Sequence, residues 1–124
     1  MSRAALNKQI AAQLLERDGT YSMTGDPQRF SVGFQVGGFA PASINPTLRE
    51  ATQWVALVRS IPDVVGDRFG PLYLGSWTDE NGNVFLDACY LFLNRSLALE
   101  QARFNGERAI WDWARMTAEE VTAL

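Results

Sequence analysis

Apolar positions along this chain follow two rhythms, one of period 3.6 and one of period two. In residues 3–16, Leu6, Ile10 and Leu14 lie four apart, with Ala11 and Leu15 beside them. That spacing predicts one apolar face of a helix. Ser2 supplies a side-chain cap at its start, and Asp18-Gly19 stops it. Residues 20–36 read as a hairpin. Thr20–Met23 is a short strand, Thr24-Gly25-Asp26-Pro27 has turn chemistry, and Arg29–Val36 alternates Phe30, Val32, Phe34 and Val36 with polar or small residues. The stretch 37–46 holds two glycines and two prolines in ten positions and reads as a loop. Thr47-Leu48-Arg49-Glu50 is a capping box opening a helix to about Arg59. Its stripe is Leu48, Ala51, Val55 and Val58, with Trp54 beside it. Pro62, Gly66, Gly70 and Pro71 break the next connection.

The second half is patterned more sharply. Leu72–Thr78 and Val84–Leu93 read as two strands joined by Asp79-Glu80-Asn81-Gly82-Asn83, where Asn81-Gly82 accepts positive φ at low cost. Val84–Leu93 is apolar on both faces except at Asp87, so it is expected at the centre of a sheet. Asn94 caps a helix to Phe104, and Asn105-Gly106 ends it. Ala109–Trp113 reads as a last strand, and Thr117-Ala118-Glu119-Glu120 as a second capping box. The expected architecture is one α+β domain over residues 1–124, with a mainly antiparallel sheet of about five strands and about three helices. The order is α-β-β-α-β-β-α-β.

Composition narrows the chemistry. Hydrophobic residues make up 47% and charged residues 20%, enough apolar material for a core. There is no histidine, which removes the commonest general base and the commonest metal ligand together. Cys89 is the only cysteine, so it has no internal disulfide partner and no histidine to activate it; a buried, inert thiol is expected. Gly33 and Gly37-Gly38 lack the Gly-Lys-Ser/Thr ending of a phosphate loop and read as a strand irregularity and a turn. No cofactor motif is present.

The net charge of −3 is divided unevenly. Residues 1–66 hold six basic and five acidic groups, and residues 67–124 hold five and nine. The total is too small for a nucleic-acid binder read by charge alone. Ten of the eleven basic residues are arginine. The first residues lack the continuous apolar stretch of a signal peptide, and no segment reaches membrane-spanning length. A cytoplasmic location is expected.

Three segments carry a resemblance: Tyr73-Leu-Gly-Ser-Trp77 with Val84-Phe-Leu-Asp87, Ser96-Leu-Ala-Leu-Glu-Gln-Ala-Arg103, and Ala109-Ile-Trp-Asp112. They are similar to "YLGxW", "VYLD", "EALxxAR" and "AIWD" in small uncharacterised proteins of actinobacteria and actinophages. The likeness covers about the C-terminal half, and Ser96-Leu97 stands where that group has an acidic residue and alanine. It implies a phage or mobile-element origin, with the host cytosol as the place of action, and carries over no catalytic residue.

Two constellations are candidates for function. Tyr73 and Trp77 share parity on one strand, and Trp111 and Trp113 on another, within a total of 14 aromatic residues. If those strands are neighbours, the four rings form either a contact surface or a core under a helix. As a contact surface it is expected to include Asp79 and Glu80, with Arg103 and Arg108 at its edge, and Trp77 is the ring expected to reach solvent. Phe39 and Ile44, in the 37–46 loop, are contact points or tuck back on the sheet. The second constellation is Asp79, Asp87 and Asp112. Together they would suggest a divalent-metal or acid–base site; separately, Asp79 and Asp112 would bond nearby backbone amides and Asp87 would pair with an arginine.

The functional expectation is a non-catalytic phage-type protein that binds and modulates or inhibits a host protein, such as a defence or nucleic-acid-processing enzyme. The alternatives are a nucleic-acid-binding module using arginine and stacked aromatics, and a small aspartate-based metal enzyme. Self-association through an open sheet edge would make a homodimer.

Overall fold

A computed structural model describes residues 1–61 and 70–122. Most of the predicted 60–71 connection, with Pro62 and Gly66, lies outside the described residues. The elements are α1 (Arg3–Glu16), β1 (Gly19–Tyr21), β2 (Pro27–Gln28), β3 (Phe34–Val36), β4 (Ser43–Ile44), α2 (Leu48–Ser60), β5 (Tyr73–Thr78), β6 (Val84–Phe92), α3 (Arg95–Asn105), β7 (Ala109–Asp112) and β8 (Thr117–Glu120).

All strand pairings are antiparallel, and the eight strands form one α+β sheet in the order β2-β1-β5-β6-β3-β7-β8, with β4 also on β6. β6 is the spine, as its apolar pattern predicts. β5 runs along one edge of it from Val84 to Cys89, while β4 and then β3 share the other edge.

The helices start where the capping residues predict, and α3 stops as predicted at Gly106, whereas α1 ends at an extended Arg17 before Asp18-Gly19. Ser2 accepts from Ala5 N, Thr47 and Glu50 form the reciprocal box, and Asn94 accepts from Leu97 N. Gly106 closes α3 in the left-handed region at φ 74°, where a side chain would be strained. The three helices among the described residues pack on one face of the sheet. Ile10, Ala11 and Leu14 of α1, Ala51, Trp54, Val55 and Val58 of α2, and Ala98 and Ala102 of α3 share a core with Tyr21, Val36, Leu74, Leu86, Ala88, Tyr90, Phe92 and Ile110. Trp54 is therefore buried within the core, donating its indole N–H to the Pro41 carbonyl at 2.8 Å.

Four expectations are corrected. Among the described residues the sheet has eight strands rather than about five, because short pairings form where local pattern is weak. Arg29–Val36 is not one strand: its first half leaves the ladder, Val32 is exposed, and the chain turns at Gly33 with φ 109°. A Cβ at Gly33 would sit 2.8 Å from the Leu91 side chain, so the bend also requires glycine for space. The 37–46 loop contains β4, and Phe39 N donates to Ala88 O, so this loop is stitched to β6. Thr117–Glu120 is a strand, not a helical cap. It folds back on β7 in register Asp112↔Thr117, and Glu119 receives a bidentate grip from Arg95.

Candidate functional site

Strand parity defines the second face of the sheet. The pairs Thr20↔Gly75↔Asp87, Tyr73↔Cys89, Gln35↔Leu91, Gln35↔Trp111 and Trp77↔Phe85↔Ile44 lie on the side opposite the helical core. This face curls on itself. Thr20 on β1 and Gln35 on β3 are separated by β5 and β6, about 14 Å in a flat sheet. Yet Thr20 Oγ1 donates to Gln35 Oε1 at 2.8 Å.

Gln35 is the hub of the enclosed polar region. Its Oε1 also accepts the Trp113 indole N–H at 3.1 Å, and its Nε2 donates to Cys89 Sγ at 3.2 Å. Gly75 lies beneath: a Cβ there would stand 2.9 Å from Cys89 Sγ and 3.4 Å from Gln35 Nε2. Burial, reinforced by the charge of Asp87, pushes the Cys89 thiol well above its ordinary range, so the thiol is protonated and inert as expected.

Asp87 and Glu107 form the second part of this region. Asp87 Oδ1 accepts from Gly38 N at 2.9 Å. A Cβ on Gly37 would fall 1.8 Å from Asp87 Oδ2 and 2.6 Å from Glu107 Oε1, so both carboxyls occupy the space a side chain would take. Burial raises the Asp87 carboxyl, and the Gly38 amide partly opposes that. Burial, then the adjacent Asp87 charge, pushes Glu107 up to about 7. The two carboxyls share a proton below that pH. Asp87 was expected to pair with an arginine; instead its partners are a carboxyl and a backbone amide, because the turn after α3 brings Glu107 over β6.

The three aspartates do not converge. Asp79 organises the β5–β6 turn, accepting from Asn81 N, Asn83 N and Asn83 Nδ2, and the Asn83 bonds hold its carboxyl below the usual range. Asp112 accepts from Arg115 N at 3.2 Å. Among the described residues, no group of three or more Asp, Glu, Cys or His side chains could hold a metal ion.

The predicted aromatic residues divide into two groups. Tyr73 meets Phe30 edge-on at 5.4 Å between centroids, Phe30 meets Trp113 at 5.3 Å, and Trp113 meets Trp111 at 6.4 Å. Three of the four predicted rings are thus joined, through Phe30. Trp113 follows the end of β7 rather than belonging to it, and is only 8% exposed, so it belongs to the interior and is corrected as a contact residue. Tyr73 and Trp111 are half-buried.

Trp77 stands apart. It is 49% exposed and stacks on Phe85 at 4.3 Å and 10°. Ile44, 58% exposed, pairs in register with Phe85 from the other side. The three form a continuous cross-strand apolar row at one end of the face. The acidic turn of Asp79 and Glu80 directly follows, and Asp18 accepts from both Thr78 N and Thr78 Oγ1. Arg103 instead donates Nε to Thr122 O, and Arg108 accepts Val121 N at its carbonyl, on the α3 and β8 side.

Phe30, Gln35, Ile44, Phe85 and Glu107 complete these groups. Phe30, Ile44 and Phe85 were visible as apolar residues, but not their company; Gln35 and Glu107 had no local signal. An open cleft of about 530 Å³ lies between Phe34, Arg95, Asp112, Ala114, Arg115 and Glu119. Its charges are already matched as Arg95–Glu119 and Arg115–Asp112 pairs. No helix among the described residues is long and apolar enough to cross a membrane. No protein-family model, curated protein or solved structure matches the chain.

Proposed function

We propose that this chain is a non-catalytic binding domain that modulates a host protein in the host cytosol, and that it makes contact through the Trp77 end of the sheet. One observation carries the reading: a half-exposed indole backed by a coplanar Phe85, with exposed Ile44 in register, on the face away from the helices. Aromatic anchors rimmed by polar residues are the usual centre of protein contacts. The resemblance to actinophage proteins is the reason to seek the partner among host proteins. The acidic rim favours a protein over nucleic acid, whose phosphates it would repel.

The test is capture from an actinobacterial lysate by the tagged wild type and by a Trp77→Ala/Ile44→Ser variant, at low and high salt. The reading expects one dominant protein that survives salt and is lost with the variant. Capture unaffected by the variant, or nucleic acid that washes off with salt, overturns it.

A further inference from the structure

We propose that the partner segment docking on the Trp77 row is basic and presents an arginine to the outer face of the indole. This rests on the reading of that row as a contact surface. Phe85 covers one face of Trp77 at 4.3 Å, which holds the ring flat and leaves the indole 49% exposed. A flat, exposed, electron-rich ring is a seat for a planar cation. The neighbouring Ile44 offers apolar surface for the stem of a long side chain.

Charge at the same end points the same way. Asp18 is anchored on Thr78, the residue after Trp77, and Asp79 and Glu80 follow directly. Neither of the ion pairs among the described residues includes any of these three carboxylates. Asp79 is held ionised by its bonds to Asn83. An aromatic plate rimmed by carboxylates that form no ion pair among the described residues is complementary to guanidinium. Arginine fits it better than lysine, because its planar, weakly hydrated group stacks and bonds carboxylates in pairs.

The experiment follows the four indole N–H signals of the 15N-labelled full chain by NMR. The probes are an arginine–glycine nonapeptide, its lysine and glutamate counterparts, and an oligo-dT of similar length. The arginine peptide is expected to move the Trp77 signal and leave Trp113, buried on Gln35, in place. The lysine peptide should bind several-fold more weakly, and the glutamate peptide and oligo-dT should not bind. Read by the anisotropy of a fluorescein-labelled arginine peptide, Trp77→Ala should weaken binding about fivefold to tenfold. Glu80→Lys, an exposed turn substitution that leaves the core intact, should weaken it about threefold to tenfold and reduce the salt dependence.

Equal shifts from arginine and glutamate peptides, a preference for oligo-dT, or unchanged binding in both variants would overturn the proposal. If the lysate partner is lost with the Trp77 variant yet the arginine peptide does not bind, the contact surface stands and the basic-segment inference fails. If neither binds through Trp77, both fail.

Discussion

Replacing Glu107 with glutamine tests the shared-proton pair at the centre of the sheet. Glu107 titrates at about 7 in the fold against 4.5 ordinarily, because it is buried beside Asp87. The folded state therefore holds this proton more tightly than the unfolded chain. Its contribution to stability is fully present below about pH 4.5 and is lost as pH rises through about 7. The displacement corresponds to about 3 kcal/mol at full effect. The side chain is half exposed, and solvent screening reduces this to about 1–2 kcal/mol. In Glu107→Gln, the amide donates to Asp87 at every pH and the term disappears. Urea unfolding of both proteins from about pH 5 to about pH 8.5 measures it. The wild type should lose about 1–2 kcal/mol relative to the variant over that range, the loss running steadily with pH and nearly complete by about pH 7. Taking the difference cancels the other carboxyls, including Glu50 and Asp79, whose lowered values act at acid pH. Two parallel pH profiles would refute the shared proton.

Three further outcomes follow from the same region. Gly37→Ala places a Cβ 1.8 Å from Oδ2 of Asp87, a carboxyl whose Oδ1 is held by the Gly38 amide, and should cost about 2 kcal/mol or more in thermal or urea unfolding. Gln35→Leu leaves Thr20 Oγ1 and the Trp113 indole without their acceptor and should cost about 2–3 kcal/mol, with a shifted Trp113 N–H signal reporting the cause. Cys89 should resist thiol reagents in the native protein and react at the unfolding rate; rapid stoichiometric labelling of the folded chain would contradict its burial.

The limits of sequence reading show in particular residues. Phe30, Val32, Phe34 and Val36 alternate evenly, yet Phe30 serves the aromatic chain, Val32 faces solvent, and only Phe34 and Val36 reach the helical core. Alternation records polarity along the chain, and Gly33 breaks the strand that would turn it into one face. Thr117-Ala-Glu-Glu120 has a capping sequence, but the fold-back onto β7 and the Arg95–Glu119 pair outweigh local preference. Asp87 was visible as the polar interruption of an apolar strand. Its partner Glu107, twenty residues later, was not, because their meeting depends on where α3 ends over the sheet.

Short-range physics was legible in the residues alone: the Ser2, Thr47 and Asn94 caps, the Gly106 stop, the Asp79 turn and the centrality of Val84–Phe92. Each depends on hydrogen bonds or solvation within a few residues, so neighbours in sequence decide it. The absence of histidine and the single cysteine are likewise properties of the chain alone. Tertiary structure decided which strands met and how far the sheet curled. It joined Tyr73, Trp111 and Trp113 through Phe30, left Trp77 with Phe85 and Ile44, and brought Glu107 onto Asp87. Apart from Trp77 and Phe85, which face each other across the β5–β6 turn, these meetings depend on pairing and packing across gaps of about twenty to eighty residues, for which local periodicity carries no signal.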